Sequence, residues 1–204
     1  MLKRTSLNFV NNFLEKKKDW KILDIGCGYR ANKNATVLAD ALDLSKLYKG
    51  KKFIQVKDKI LPFNDKEFDF VIASHVIEHV EDFEFFIKEI ERISSRGYIE
   101  LPSRLGDNLV FENMSDHIWW FNYDDDKNII IASRRNQLLE PFLNVSMGKL
   151  FEDLFRESMV LEISWENKIE YKIENSIRKE NFKKVSFFKL IKKYFSKKIR
   201  SLYK

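Results

Sequence analysis

The 204-residue sequence contains one cysteine, Cys27, together with six glycines and three prolines. A single cysteine excludes an internal disulfide and is typical of a reducing compartment. The low glycine and proline counts exclude collagen-like and low-complexity chains. No apolar run reaches the roughly 18 residues that a membrane-spanning helix requires, and the first residues are too polar for a secretory signal. These absences predict a globular, cytoplasmic protein.

Acidic residues are missing from one end of the chain. Residues 183–204 hold eight lysines and one arginine but no aspartate or glutamate, whereas the whole chain carries a net charge of only +6. The remainder of the chain is therefore mildly acidic. A strongly basic segment favours an anionic partner, such as phospholipid, nucleic acid or an acidic protein.

Residues 178–204 are predicted to form a basic amphipathic tail that ends in a helix. Its apolar side chains recur at helical spacing with lysines in the gaps, at Phe187, Leu190, Ile191, Tyr194, Phe195, Ile199 and Leu202. Such a helix can lie on an anionic membrane, here the inner membrane surface. Packing against the domain or against another copy is the alternative. No arginine-rich or zinc motif points to nucleic acid, and the sequence leaves the oligomeric state open.

Residues 1–177 are predicted to form a single domain, with a core over 20–102 and a variable, substrate-side part over 103–177. Short apolar strands alternate with connections in the core, at 21–25, 36–44, 52–56, 68–73 and 97–101, and a helix is expected over 75–93. This alternation is typical of an α/β fold with a doubly wound, mostly parallel sheet. The variable part predicts two hairpins, which turn at 124–127 and at 166–167.

The sequence Asp24-Ile-Gly26-Cys27-Gly28 follows the first core strand directly. Glycines allow a tight turn and a close approach of the backbone to a ligand. The carboxyl ends of parallel strands are where α/β sheets bind ligands. An acid at the end of the next strand can hold ribose hydroxyls, and both Asp40 and Asp43 are candidates.

Five elements in order make the core resemble the class I S-adenosylmethionine-dependent methyltransferases, in particular the methyltransferase type 11 group. They are the glycine motif over 24–28, the acid after the second strand, Asp58 ahead of Leu61-Pro62-Phe63, Phe68-Asp69-Phe-Val71, and Glu78-His79-Val80. The resemblance covers residues 20–102, about two fifths of the chain. It implies a Rossmann-like fold, S-adenosyl-L-methionine as cofactor and methyl transfer as the activity.

The resemblance also implies roles for individual positions. Gly26, Cys27 and Gly28 would pass under the methionine part of the cofactor. Asp24 would either anchor the loop or meet the amine of that methionine part. The ribose would be held by Asp40 or Asp43, and the adenine by Asp58, Lys59 and Ile60. Ser74 and His75 would border the reacting sulfonium. A general base for an oxygen or nitrogen acceptor would be His75 or His117, and the acceptor would be a small molecule or a lipid-linked compound.

Two departures from the family pattern affect this interpretation. Arg30 stands where a third glycine is common, and only residues 31–36 separate the loop from the second strand. A crossover helix with its turns needs at least about ten residues, so we expect either a loop there or a different position of the second strand. A non-catalytic binding protein with a methyltransferase fold is therefore the competing hypothesis.

Two further motifs allow other functions. Gly26-x-Gly28-x-x-Ala31 fits the fingerprint of nicotinamide-dependent oxidoreductases, but that motif needs a helix opening on the loop. His75-x-x-Glu78-His79 fits an inverted zinc-protease motif, in which both histidines would share the metal. The sequence identifies no third ligand, and we therefore predict no metal site.

Overall fold

The structure is a computed structural model that describes residues 1–109, 117–135 and 154–174, together with Phe188, Ile191, Lys192 and Phe195. Its strands are β1 (Leu2–Arg4), β2 (Ile22–Ile25), β3 (Val37–Asp40), β4 (Lys52–Gln55), β5 (Phe70–Ser74), β6 (Arg96–Pro102), β7 (Trp119–Asp124), β8 (Ile129–Arg134), β9 (Val160–Glu166) and β10 (Tyr171–Ile173). Its helices are α1 (Leu7–Leu14), α2 (Phe83–Ile93), α3 (Arg104–Leu109) and α4 (Arg156–Met159), with a 3₁₀ turn over Ile77–His79.

Among these residues a seven-stranded sheet has the order β1-β9-β6-β5-β2-β3-β4. The five strands from β6 to β4 in that order run parallel, and β9 and β1 add an antiparallel edge. The chain leaves β2 for β3 and β4, then returns to β5 on the other side of β2. This reversal opens a crevice at the carboxyl ends of β2 and β5, where open α/β sheets bind ligands.

Helices cover both faces of the sheet, which confirms the doubly wound α/β prediction. Strand side chains alternate between faces: Leu23 packs in the core formed with α2, while Ile22 packs in the core formed with α1. Ser6 caps α1 by accepting a hydrogen bond from the Phe9 amide, and Asp82 caps α2 in the same way. These caps satisfy backbone amides that the first helical turn leaves without partners.

The connection from β2 to β3 is a loop without a helix, as its length predicts. Asn11 of α1 holds this loop from the side, because its Oδ1 accepts hydrogen bonds from the side-chain amides of Asn32 and Asn34 at 2.9 and 3.3 Å. Helix α1 therefore covers this part of the sheet face and borders the crevice.

The helix predicted over 75–93 is shorter than expected. Residues 77–79 form a 3₁₀ turn, and α2 begins at Phe83 after its Asp82 cap. The capping side chain explains the late start, since an aspartate favours the position before a helix over its interior. Strand β1 was not predicted, because three residues carry too little periodicity to identify.

The first predicted hairpin is confirmed and the second is wrong. Strands β7 and β8 pair antiparallel around 124–127. Strand β9 instead pairs with β6 and β1 in the large sheet, while β10 pairs parallel with β8 in a three-stranded sheet of order β10-β8-β7. Asn167 does turn the chain, with φ of 67°, but the two strands that it joins belong to different sheets.

The basic tail lies largely outside the described residues, as do residues 137–153 of the variable part. Among the four described tail residues, Phe188 and Phe195 are exposed. Within the described parts of the chain, no helix has the length and apolar character needed to span a bilayer.

Candidate functional site

A cavity of about 980 Å³ lies in the crevice at the carboxyl ends of β2, β5 and β6. The start of α1, the loop after β2, the adjacent parts of β5, β6 and β9, and Arg156 of α4 build it. Of the predicted site residues, it brings together Asp24, Gly26, Cys27, Gly28, Ser74 and His75. The glycine motif therefore lies at the crevice where the strand order of the sheet reverses.

The two motif glycines lack a side chain for different structural reasons. Both have positive φ, 66° for Gly26 and 49° for Gly28. A Cβ on Gly26 would lie 2.2 Å from a methyl group of Val76, whereas a Cβ on Gly28 would meet nothing within 4 Å. Gly26 therefore allows close packing of the loop on the chain after β5, and Gly28 leaves open space on its cavity side.

Asp40 is bound to the glycine loop. Its Oδ2 accepts a hydrogen bond from the Gly28 amide at 2.8 Å, and its Oδ1 accepts one from the Leu42 amide at 2.9 Å. Asp43 is exposed and bonds the Ser45 amide instead, and hydrogen bonds from Ser45 lower its pKa. The structure thus places Asp40, the last residue of β3, next to the loop and Asp43 away from it.

Asp24 is a buried carboxylate that lines the cavity. Its Oδ2 accepts a hydrogen bond from the Asn32 amide at 2.6 Å. Burial raises the pKa of Asp24 to about 6, although the hydrogen bond from Asn32 opposes the shift. A carboxylate held out of water is favourably placed to pair with a ligand cation.

Tyr48 fixes the loop, a role that the sequence did not predict. Its hydroxyl donates a hydrogen bond to the Gly28 carbonyl at 2.6 Å and accepts one from the Ala31 amide at 3.0 Å. These bonds provide hydrogen-bond partners for the Gly28 carbonyl and the Ala31 amide, which have no crossover helix to join. Tyr48 thereby supports the loop in place of the absent helix.

His75 lies between two carboxylates at the end of β5. Its Nδ1 is 3.2 Å from Glu78 Oε1, and its Nε2 is 3.1 Å from Glu100 Oε1. Burial lowers the pKa of His75, but the hydrogen bonds to Glu100 and Glu78 outweigh it and raise the pKa to about 10. The ring is then an imidazolium with both nitrogens donating, and this geometry does not support the predicted role of general base.

A network of charged side chains continues from His75 along the cavity wall. Glu100 accepts hydrogen bonds from Arg156 at 2.9 Å and from the Tyr98 hydroxyl at 2.6 Å. Burial raises the pKa of Glu100, yet hydrogen bonds from His75 and Tyr98 lower it to about 2. Glu162 of β9 lies beside them, 3.4 Å from Arg156. This wall is polar and carries fixed charges of both signs.

His117 lies outside this cavity. Its side chain is buried, and its Nδ1 is 2.5 Å from Asp107 Oδ1. The neighbouring Trp119 packs in the core, so the aromatic residues of this segment do not line the cavity either. The prediction that His117 acts as a general base has no support from its position.

The predicted adenine-binding residues are exposed on the loop after β4 and do not line the cavity; they are Asp58, Lys59 and Ile60. The loop remains adjacent to the glycine loop, since the Val56 amide donates to the Asp40 carbonyl at 2.8 Å. Cys27 is buried, and burial raises the pKa of its thiol to about 12. Its side chain is therefore a neutral packing group.

Several lining residues were missed because they are distant in sequence from the motif. Asn8 and Asn11 come from α1, and Arg156 and Glu162 come from α4 and β9. Glu100 gave the one usable signal, since a carboxylate inside an apolar strand is costly to bury and marks a partner or a site.

A protein family described as a methyltransferase domain matches residues 23–99. Residues 23–99 are a methyltransferase domain. The match runs from β2 into β6 and therefore contains the glycine loop, Asp40 and His75, whereas α1, α4 and β9 lie outside it. The methyltransferase domain thus supplies one side of the cavity, and residues outside the match supply the other.

The chain is similar to a curated protein and to solved structures of low sequence identity. The uncharacterized protein MJ0638 of Methanocaldococcus jannaschii is 40% identical over 108 residues, which are 49% of this chain and 48% of that protein. The chain thus spans about half the length of this curated relative. Among solved structures it is similar to the PH0226 protein of Pyrococcus horikoshii (17% identity, 79% and 89% of the two chains, TM-score 0.46). An S-adenosylmethionine-dependent methyltransferase of Thermotoga maritima gives 14% identity, 79% and 90% coverage, and a TM-score of 0.47. Likeness at this distance carries no argument about substrates.

Proposed function

We propose that the chain binds S-adenosyl-L-methionine in the cavity at β2 and β5 and transfers its methyl group to an oxygen or nitrogen atom. One observation carries the proposal. Gly28 has open space where a side chain would stand, and the buried Asp24 lies beside it in the same cavity. Both residues belong to the matched methyltransferase domain.

The residues of the cavity fit the functional groups of this cofactor. Asp24 would hold the ammonium of its methionine part, because a buried carboxylate prefers a paired cation. Asp40 would be the ribose acid, since it is bound to the glycine loop while Asp43 points to solvent. The exposed loop at Asp58 would cover the adenine only by moving toward the cavity.

The absence of a helix after the glycine loop weighs against a nicotinamide dinucleotide. That cofactor places its pyrophosphate on the N-terminus of a crossover helix. Residues 26–36 form a loop here, with the Tyr48 hydroxyl bound to the Gly28 carbonyl and the Ala31 amide. The loop offers no helix N-terminus to an anion.

The cofactor supplies the reactive methyl group, and the chain's residues align the acceptor. The wall formed by Glu100, Arg156 and Glu162 would face the acceptor. Fixed charges of both signs favour a polar acceptor group, which a small molecule or the head of a lipid-linked compound would provide. We expect the reaction in the cytoplasm, at the inner membrane surface if the basic tail binds there.

Calorimetric titration of two glycine variants tests the proposal. Gly28→Ala and Gly50→Ala each add a methyl group at a positive-φ glycine with open space, but only Gly28 lines the cavity. We expect Gly28→Ala to weaken S-adenosylhomocysteine binding about tenfold, or ~1.4 kcal/mol, and Gly50→Ala to leave it unchanged.

Equal effects of the two variants, or no binding by the unmodified chain, would contradict the cofactor assignment. An assay for transfer of a labelled methyl group to extracted metabolites and lipids then distinguishes an enzyme from a non-catalytic binding protein. Cofactor binding without any labelled product in either pool would favour the non-catalytic alternative.

A further inference from the structure

We infer that Glu78, His79 and His117 form a binding site for a zinc ion. One candidate ligand atom from each of these residues lies within 4.8 Å of the other two. Two imidazoles and one carboxylate are a common zinc ligand set, which leaves a fourth position for water. We call these three residues the His79 cluster.

His117 is oriented as zinc-bound histidines are. Asp107 Oδ1 lies 2.5 Å from His117 Nδ1, and the other oxygen of Asp107 accepts hydrogen bonds from Trp120 and Arg135. An ionised Asp107 fixes the proton on Nδ1 and leaves the lone pair of Nε2 toward the cluster. A carboxylate behind the ring is the usual partner of a metal-ligating histidine, and it increases the basicity of the ring.

Glu78 supplies a buried carboxylate with an unsatisfied oxygen. Its side chain is fully buried, its Oε1 contacts His75, and its Oε2 has no hydrogen-bond partner in the described parts of the chain. A buried carboxylate oxygen without a partner is costly and calls for an explanation. A bound cation would satisfy it.

The distance between ligands is close to what zinc needs. His117 Nε2 is 3.9 Å from Glu78 Oε1, and ligand atoms of a tetrahedral zinc ion are about 3.4 Å apart. The three candidate ligand atoms lie within 4.8 Å of one another, so the side chains would approach by up to about 1.4 Å to complete the site. The backbone already joins the two segments, because the Ile118 amide donates to the Glu78 carbonyl at 2.7 Å.

His79 opens the cluster to solvent. Its ring contacts the His117 ring edge to face, with centroids 4.6 Å apart, and its side chain is exposed. An ion could enter on this side, and water could occupy the fourth position. The ligand set differs from the sequence motif, because His75 places both nitrogens against carboxylates and takes no part.

Zinc titration of the full chain, prepared without a histidine tag and treated with chelator, tests the site. We expect one equivalent to bind with micromolar or tighter affinity, and His79→Gln to weaken binding at least about tenfold. Glu81→Gln is the matched control, since Glu81 is an exposed acid on the same segment that pairs with Arg134. It should bind zinc as the unmodified chain does.

Cobalt substitution gives a second readout, because tetrahedral Co²⁺ with nitrogen ligands absorbs strongly in the visible range. The band should appear with one equivalent of Co²⁺ and weaken in His117→Gln. If His117→Gln fails to fold, the zinc affinity of His79→Gln, a substitution at an exposed position, tests the site without it. Zinc binding only at millimolar concentration, or equal affinity of His79→Gln and Glu81→Gln, would overturn the site. His117 would then be a buried side chain held by its hydrogen bond to Asp107. Neither titration requires the cofactor, so the result is independent of the proposed function.

Discussion

Single residues explain why the loop after β2 can serve as a ligand site. Gly26 has no room for a side chain because Val76 occupies the space, while Gly28 has room that a ligand could use. Both glycines are recognisable in the sequence motif, but the sequence does not distinguish the reasons for which each is needed. The difference between the two glycines depends on how closely Val76 approaches the loop, and this approach is a tertiary contact.

The contact between Gly26 and Val76 predicts a stability effect with a rescue. Gly26→Ala would place a methyl group 2.2 Å from Val76 Cγ2, and such overpacking costs typically about 1–3 kcal/mol. We expect urea denaturation to show this loss in the free energy of unfolding. The double variant with Val76→Ala should recover part of it. A double variant that loses the sum of both single effects would contradict the steric explanation.

Asp24 predicts a pH dependence of cofactor binding. Burial raises its pKa to about 6, so the carboxylate that would hold the ligand ammonium is protonated below that pH. Affinity for S-adenosylhomocysteine should therefore be constant above about pH 7 and fall as the pH decreases through 6. Asp24→Asn should bind weakly at every pH and lose this dependence. An unchanged profile in the variant would assign the titration to another group.

At the scale of elements, a tyrosine side chain replaces a helix. The loop from β2 to β3 is too short for the usual crossover helix, and this much is visible in the sequence as a residue count. The replacement is not visible, because Tyr48 lies 20 residues beyond Gly28, and its hydroxyl reaches the loop only after β3 has folded beside β2.

Removal of the Tyr48 hydroxyl should therefore weaken cofactor binding. Tyr48→Phe leaves the Gly28 carbonyl and the Ala31 amide without this partner, and one such hydrogen bond is worth about 1 kcal/mol. We expect S-adenosylhomocysteine affinity to fall about fivefold. Tyr123→Phe is the control, since it removes a hydroxyl bonded to Asn128 in the exposed hairpin. Comparable losses in the two variants would show that the loop needs no such support.

The elements that were predicted correctly carry their signal in their own residues or in an adjacent turn. The parallel core strands and the hairpin of β7 and β8 follow from alternation and from turn residues. The incorrect hairpin at 166–167 shows the limit. Its turn exists, but β9 pairs with β6 and β1, whose positions depend on the whole sheet. Local pattern predicts a strand, and only the assembled sheet selects its neighbour.

At the scale of the molecule, the cavity is assembled from both ends of the described chain. Glu162 of β9 accepts a hydrogen bond from the Leu7 amide at the start of α1, and Arg156 joins Glu162 to Glu100. The sequence could predict the half of the site that belongs to the methyltransferase domain. It could not predict the other half, because no local motif connects these charged residues to the glycine loop.

The asymmetric charge of the whole chain gives the last prediction. Residues 183–204 carry nine basic side chains and no acid, and each lysine or arginine near an anionic membrane contributes about 1 kcal/mol to binding. The full chain should therefore sediment with vesicles that contain phosphatidylglycerol and be released by salt. Exchange of Lys189, Lys192 and Lys193 for glutamine should reduce this binding strongly.

The same exchange at Lys16, Lys17 and Lys18 is the matched control, because it removes equal charge from the body of the protein. If both triple variants bind vesicles equally, attraction to the net charge explains the result and the tail has no special role. If only the tail variant loses binding, the tail holds the cavity at a membrane surface. A lipid-linked acceptor then becomes the first class to assay, because its polar head would be presented where the cavity is located.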